Sequence, residues 1–292
     1  MECIIDTHHH IFDTDQFPYS PDRHLTPPNA SIDKYKAWKS HNGVTKSVLV
    51  HGLSYGHDNS SLEAFVQQLD PGVTRGIAVI GRNTADDELK RLHSCGIRGV
   101  RLDLYSEHAM RDLDKQLEML QYYAKRVAPF NWSMGFLQLE PGNWAHLAKF
   151  IPSLPVDVVV DHQALLKSSS MLPADVTVAQ QPGMEAILRL LASGNFWIKI
   201  SAPYRNSESE PHYDDLREVI RLLVHANPHR VVYGSDWPHT PRMKIRSKEE
   251  ALIETPFLKF DDSIWLQKLR DWLSAEEWNL LMVENPTVLY RF

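Results

Sequence analysis

Only two cysteines, Cys3 and Cys95, occur in the 292 residues. That is too few for a disulfide framework, and neither has the neighbours of a CxxC pair or a thiolate metal site. A reducing compartment, the cytoplasm, is the expected setting. No stretch reaches the roughly 18 consecutive apolar residues of a membrane-spanning helix. The opening Met1-Glu2-Cys3-Ile4-Ile5-Asp6 also lacks a basic segment followed by a long apolar run, so neither a membrane partner nor secretion is expected. Basic excess is missing as well: the net charge is −6, whereas a nucleic-acid binder needs a basic face to displace phosphate counterions. Low-complexity tracts and repeats of residue identity are absent. The composition, 43% apolar and 23% charged, is that of an ordinary globular chain long enough to bury a large core.

Eight short runs rich in β-branched residues recur along the chain: Cys3–Thr7, Lys46–His51, Thr74–Ile80, Ile97–Leu102, Ser133–Leu137, Val156–Asp161, Asn195–Ile200 and Arg230–Ser235. A run such as Val156-Asp157-Val158-Val159-Val160 shows little alternation, which is how a strand covered on both faces reads. Between the runs lie segments with apolar spacing near 3.6: Ser31–Ser40, Ser61–Leu69, Ala85–Ser94, Met110–Arg126, Ala145–Phe150, Met184–Ala192 and Tyr213–His225. Strand and helix alternate without a break in composition. The expectation is an α/β protein, a single (β/α)8 TIM barrel over 1–292 with extra C-terminal helices, in preference to a doubly wound open sheet. Ser274-Ala275-Glu276-Glu277 has the capping-box pattern that opens one of those helices. The proline-rich segment Asp13 to Ala30 is too long for a plain connector, and it follows the first strand on the rim where barrel enzymes place their chemistry.

At that rim the first strand ends Asp6-Thr7-His8-His9-His10. A period of two places Asp6, His8 and His10 on one face, with Thr7 and His9 on the other. The sixth strand ends Asp161-His162-Gln163, and the eighth delivers Asp236 in Gly234-Ser235-Asp236-Trp237-Pro238-His239. One histidine cluster alone reads equally well as a polar strand end. Three strand ends supplying His8, His10, His162 and Asp236 to one rim form a joint pattern that points to chemistry. Asp236 is the candidate proton acceptor, with the imidazoles as carbonyl polarisers or as ligands, together with Asp236, of one divalent metal such as zinc or manganese. The fourth strand has no lysine, which argues against a two-metal site bridged by a modified lysine.

Arg98 and Arg101 on the fourth strand and Arg205 after the seventh point to a small anionic substrate, because a guanidinium forks two hydrogen bonds onto a carboxylate. The rim loops offer Tyr19, Tyr55, His57, Tyr204 and His239 as further candidate contacts.

The segments DTHHHIFD, FPYSPDRHLTPP, YGHDN, GIRGVRLDL, VVVDHQ, KISAPYR, YGSDWPH and ENPTVLYRF resemble the amidohydrolase superfamily, and within it the branch typified by 2-pyrone-4,6-dicarboxylate lactonase. The resemblance spans nearly the whole chain. It implies a TIM barrel that opens a lactone, with Asp236 activating water, His8, His10 and His162 near the scissile carbonyl, and arginines gripping carboxylates. It also implies that metal is optional, since the branch includes metal-free lactonases and Gln138 stands where a ligating histidine would end the fifth strand. The alternatives are a metal-dependent decarboxylase, a lactone isomerase, or a degenerate barrel that only binds ligand.

Overall fold

In the computed structural model, which describes residues 3–242, 244 and 246–292, every expected strand forms. They are β1 (Ile4–His9), β2 (Val44–Val50), β3 (Thr74–Ala78), β4 (Ile97–Arg101), β5 (Ser133–Phe136), β6 (Val158–Val160), β7 (Phe196–Ile200) and β8 (Val231–Tyr233). All neighbours pair in parallel in the order β1 to β8. The seam between β8 and β1 is closed just beyond the end of β8, where Asp236 N–H donates to His8 O at 2.8 Å and His10 N–H to Trp237 O at 2.8 Å. The fold is therefore a (β/α)8 TIM barrel.

Helices α1 (Ile32–His41), α2 (Ser60–Gln68), α3 (Asp86–Ser94), α4 (Leu113–Val127), α5 (Trp144–Phe150), α6 (Met184–Ala192) and α7 (Arg217–Ala226) follow the first seven strands. Beyond β8 come α8 (Lys248–Leu252), α9 (Asp262–Trp272), α10 (Ala275–Asn279) and α11 (Asn285–Tyr290), the last entered through a π-helical turn. Side-chain caps set several starts. Ser31 accepts from Lys34 N–H, and the capping box of Ser274 and Glu277 forms as the sequence indicates. Two expected helices start late. Asp112 caps α4 by accepting from Lys115 N–H, so the helix begins at Leu113 rather than Met110. At Tyr213 a backbone φ of 51° delays α7, which follows a short 3₁₀ turn.

The barrel interior is packed, not hollow. Val48, Val50, Ile77, Val159, Trp197 and Val232 meet inside it, and Leu289 and Tyr290 of α11 join the same cluster. A larger apolar layer lies between strands and helices, including Phe65, Leu120, Trp144 and Ile220. Filling the interior this way leaves the C-terminal mouth as the place for a polar site. The proline-rich loop is tied at its base by reciprocal bonds between Phe12 and Ala30 (3.0 and 2.7 Å), and Ser20 N–H donates to Ser54 O at 2.8 Å. Leu25 and His24, near its end, reach the mouth. No helix among the described residues is long and apolar enough to cross a membrane.

Candidate active site

Four side chains from three strand ends converge at the mouth. The Oδ1 of Asp236 lies 3.5 Å from His8 Nε2, 3.9 Å from His10 Nε2 and 3.8 Å from His162 Nε2. All four residues are buried. Gly234 makes the approach of β8 to β1 possible, because a Cβ there would stand 2.7 Å from His8 Cβ. Asp236 and His162 both adopt left-handed backbone conformations, with φ of 61° and 56°. Such conformations cost free energy for non-glycine residues and cluster at functional sites.

The carboxylate of Asp236 has two different sides. Oδ2 accepts from Tyr204 Oη at 2.7 Å and from Arg205 Nη2 at 2.7 Å, while Oδ1 faces the imidazoles. Burial opposes its ionisation, but Arg205, followed by His162, His8 and His10, holds the carboxyl well below the usual range. Burial pushes the imidazoles the other way: His10 and His162 titrate at about 4. At neutral pH the centre is an anion surrounded by neutral rings. His10 Nδ1 donates to Val50 O at 2.8 Å, and His162 Nδ1 meets Ser201 Oγ at 2.8 Å.

Beside the centre opens a cleft of about 540 Å³ of atom-free space, lined by His10, His162, Asp236, Arg101, Arg205 and Arg246 among others. Arg101 comes forward as expected. Arg205 also lines the cleft, but its donors are mostly taken: besides Asp236 it bonds Thr240 O, Thr240 Oγ1 and Pro241 O at 2.9, 3.1 and 3.1 Å. Arg246, on the loop after β8, is a cleft residue that strand patterns could not place. Among the described residues, no hydrogen bond or ion pair is made by the guanidinium of Arg101 or of Arg246, although both line the cleft.

Arg98 is not brought to the site. Its Nη1 donates to His93 O and Ile97 O at 3.0 and 2.8 Å, below α3. Arg98 and Arg101 are three residues apart, so a strand's alternation puts them on opposite faces. His57 is exposed beside Gly81, outside the cleft. Tyr19 and Tyr55 form an aromatic support behind it, with ring centroids 5.0 Å apart; Tyr19 donates to Pro27 O, and Tyr55 Oη accepts from Asp13 N–H. Tyr204 sits at the centre, while His239 stands behind it, with Nδ1 3.5 Å from Tyr204 Oη and Nε2 3.0 Å from Asp262 Oδ2. Asp6 does not share the mouth with His8 and His10. A register shift between Asp6 and His9 breaks the alternation of β1, and the Asp6 carboxylate is used by Ser235, the His8 amide and Tyr35 Oη. Gln138 is bonded to Gln116 Oε1 at 2.7 Å and to Glu140 N–H at 2.8 Å, away from the imidazoles.

Sequence reasoning passed over Asp161 and Lys199. Asp161 Oδ1 is 3.1 Å from His8 Nδ1, and Lys199 Nζ is 3.0 Å from the same nitrogen and 3.1 Å from Asp161 Oδ1. The available signal was a lysine in the otherwise apolar strand Phe196-Trp197-Ile198-Lys199-Ile200, since a charge buried there needs an anion beside it. The donor set of His8, His10 and Asp236, with ligand atoms within 4.8 Å of one another, has the chemistry of a three-ligand divalent site. The bond from His10 Nδ1 to a carbonyl is the outer support such ligands use. These residues fit a single metal ion.

The neutral rings make stability depend on acid. Burial holds His10, His24 and His162 at about 4 and His51 at about 3, whereas the unfolded rings titrate near 6.5. Between these values the unfolded chain binds more protons, so stability falls as pH drops through that window, by up to about 3 kcal/mol per ring. Asp6, raised by burial to about 6, works in the opposite direction as it protonates. The expected net result is a urea midpoint that falls steeply from pH 6.5 to 4.5. A constant midpoint would contradict the buried, neutral state of the rings.

Residues 5–292 match the profile of a family described as amidohydrolase. The chain is 30% identical to the 2-pyrone-4,6-dicarboxylate hydrolase of Comamonas testosteroni, over 98% of this chain and 89% of that one. It is 26% identical to the 4-sulfomuconolactone hydrolase of Hydrogenophaga intermedia, covering 98% and 88%. A solved structure from Acinetobacter baumannii, assigned as a 2-pyrone-4,6-dicarboxylic acid hydrolase and holding citric acid, shares 26% identity and superposes with a TM-score of 0.73 over 99% of each chain. Family profile, relatives and barrel agree: the chain belongs to the amidohydrolase family.

Proposed function

We propose that the protein is a lactonase that opens a ring carrying at least one carboxylate, with Asp236 as the proton acceptor. The observation that carries this reading is the placement of Asp236 Oδ1 under 4 Å from three imidazoles, beside a cleft that holds two guanidiniums without hydrogen-bond or ion-pair partners among the described residues. The named relatives act on lactones bearing carboxylate or sulfonate groups, and citric acid occupies the Acinetobacter structure.

Oδ1 accepts a proton from water while Tyr204 and Arg205 hold Oδ2 in place. The resulting hydroxide attacks the lactone carbonyl. With Ser201 donating to His162 Nδ1, His162 presents Nε2–H to the developing oxyanion. The ring C–O bond then breaks, and Asp236 returns its proton to the leaving oxygen. A divalent ion held by His8, His10 and Asp236 would polarise the same carbonyl.

Arg101 and Arg246 flank His24, a ring kept neutral by burial. With no ion-pair partner among the described residues, they are suited to a substrate carboxylate. Removing a charged hydrogen bond costs about 1.5–3 kcal/mol. Arg101→Met and Arg246→Met are each expected to raise KM for a carboxylated lactone by roughly tenfold or more, with little change for a neutral lactone. An equal effect on both substrates would remove the anion from the reading.

The direct test supplies carboxylated lactones to chelator-treated and metal-supplemented enzyme and records acid release and ¹⁸O uptake from water. Hydrolysis releases one new acid group and incorporates one water oxygen. Release of carbon dioxide would indicate decarboxylation, and a moved ring bond without ¹⁸O uptake would indicate isomerisation; either would overturn the proposal.

A further inference from the structure

A second cavity adjoins the cleft at His162. It encloses about 730 Å³ of atom-free space and shares Leu137, His162 and Arg205 with the cleft, but Arg101 and Arg246 do not line it. Its other walls are Leu139, Pro141 and Leu165, with the exposed Lys167 and Arg242 at its edge. Arg242 Nε and Nη2 both donate to Tyr204 O, at 3.2 and 2.9 Å. An exposed ammonium keeps its hydration, so neither cation makes the interior polar.

Two local features turn apolar side chains into this space. At the end of β5, Gln138 is directed to Gln116 Oε1, and alternation sends Leu137 and Leu139 to the opposite side, where both line the cavity. After β6, His162, Gln163, Ala164 and Leu165 have φ of 56°, 50°, 55° and 55°. This is one left-handed turn without a glycine, a costly conformation of the kind held at functional sites. The buried Asn206 fastens it, donating from Nδ2 to His162 O at 3.1 Å and to Leu166 O at 2.8 Å. The turn begins with His162 beside Asp236 and ends with Leu165 on the cavity wall. One strained segment therefore shapes both the reacting centre and the second chamber.

We infer that this chamber is a subsite for an apolar arm of the substrate, an alkyl or aryl substituent larger than methyl on the lactone ring. The inference deepens the lactonase reading and rests on it for the place of the ring. With the ring carboxylate at Arg101 and Arg246 and the carbonyl at His162, a substituent on the opposite edge of the ring enters the chamber. Leu137, Leu139 and Leu165 are only half-buried, and covering them with an apolar group removes further surface from water. A small ring bearing only anionic groups would leave them uncovered.

Binding is read first, by calorimetry with cyclopentanone carboxylates, which keep the ring and its carbonyl but have no ester bond to open. Methyl or n-butyl is placed in turn at each free ring carbon. Each buried methylene is worth up to about fourfold in affinity. After the cost of ordering the arm, butyl at one position should bind at least about tenfold more tightly than methyl, with a more negative heat-capacity change. Equal or weaker binding of butyl at every position overturns the inference. The corresponding lactones should show the same preference in kcat/KM. Leu165→Asn retains the approximate shape of the side chain and suits the left-handed backbone, so it tests polarity without weakening the turn. It should bring the butyl-to-methyl affinity ratio toward one, as should Leu139→Phe, which fills the space. An unchanged ratio in both folded variants would also overturn the inference. If no lactone is opened while the butyl ketone still binds more tightly, the lactonase reading fails and the subsite stands. Turnover that ignores the arm, with equal binding of methyl and butyl ketones, removes the subsite and leaves the reaction.

Discussion

Asp236→Asn is expected to lower kcat on a carboxylated lactone by about 10²–10⁴-fold, the range associated with a positioned acid–base group. The replacement is nearly isosteric, so shape is retained while the proton acceptor is lost. Only Oδ1 is available for water, because Oδ2 is engaged by Tyr204 and Arg205. No backbone amide of the described residues donates to this carboxylate, so its role is not that of a helix cap. KM should change much less than kcat, since the substrate carboxylates are assigned to Arg101 and Arg246. The variant also leaves Arg205 buried without its anion, so melting temperature must be measured alongside activity. Near-normal turnover in a folded Asp236→Asn protein would reject Asp236 as the base.

Arg205→Met is expected to lower stability by roughly 3–5 kcal/mol, the cost of leaving one member of a buried ion pair uncompensated. Here the stranded member is Asp236, at 2.7 Å from the guanidinium. A carboxyl whose folded pKa lies below its unfolded one contributes stability above the unfolded value and loses it as pH falls through the folded value. With Arg205 present, that contribution persists into acid. Without it, burial dominates, the Asp236 carboxyl titrates at higher pH, and stability is lost earlier on acidification. The acid limb of kcat/KM should move upward in the same variant, because the proton acceptor is neutralised sooner. Chemical denaturation at pH 7 and 5, together with a pH–rate profile, checks both effects. A folded Arg205→Met protein with an unmoved acid limb would show that the arginine does not control the ionisation of Asp236.

The barrel was legible because its signals are local and repeat. Each of the eight apolar runs became a strand, since parallel strands covered on both faces must be apolar in any order of assembly. The grouping of side chains at the strand ends was legible for a related reason: in a closed barrel the end of every parallel strand reaches one rim, so His8, His10, His162 and Asp236 needed no contact information to be placed together. Strand parity, properly applied, would also have separated Arg98 from Arg101. The same rule misplaced Asp6, because a shift of register within β1 is not written in the alternation of its side chains.

Loops and partners lay beyond this reading. Arg246 enters the cleft, and His57 stays outside, through the course of irregular segments that no periodicity describes. Arg205 carries the same residue type expected to hold substrate, but the fold presents Asp236 to it first. Sequence by itself determined the architecture and the four residues gathered at the mouth, because secondary-structure period and barrel closure fix both. Only tertiary structure decided which charges are already paired, which line the cleft without an ion-pair partner among the described residues, and how Lys199 and Asp161 meet behind His8, because those outcomes depend on distances of a few ångströms between residues far apart in the chain.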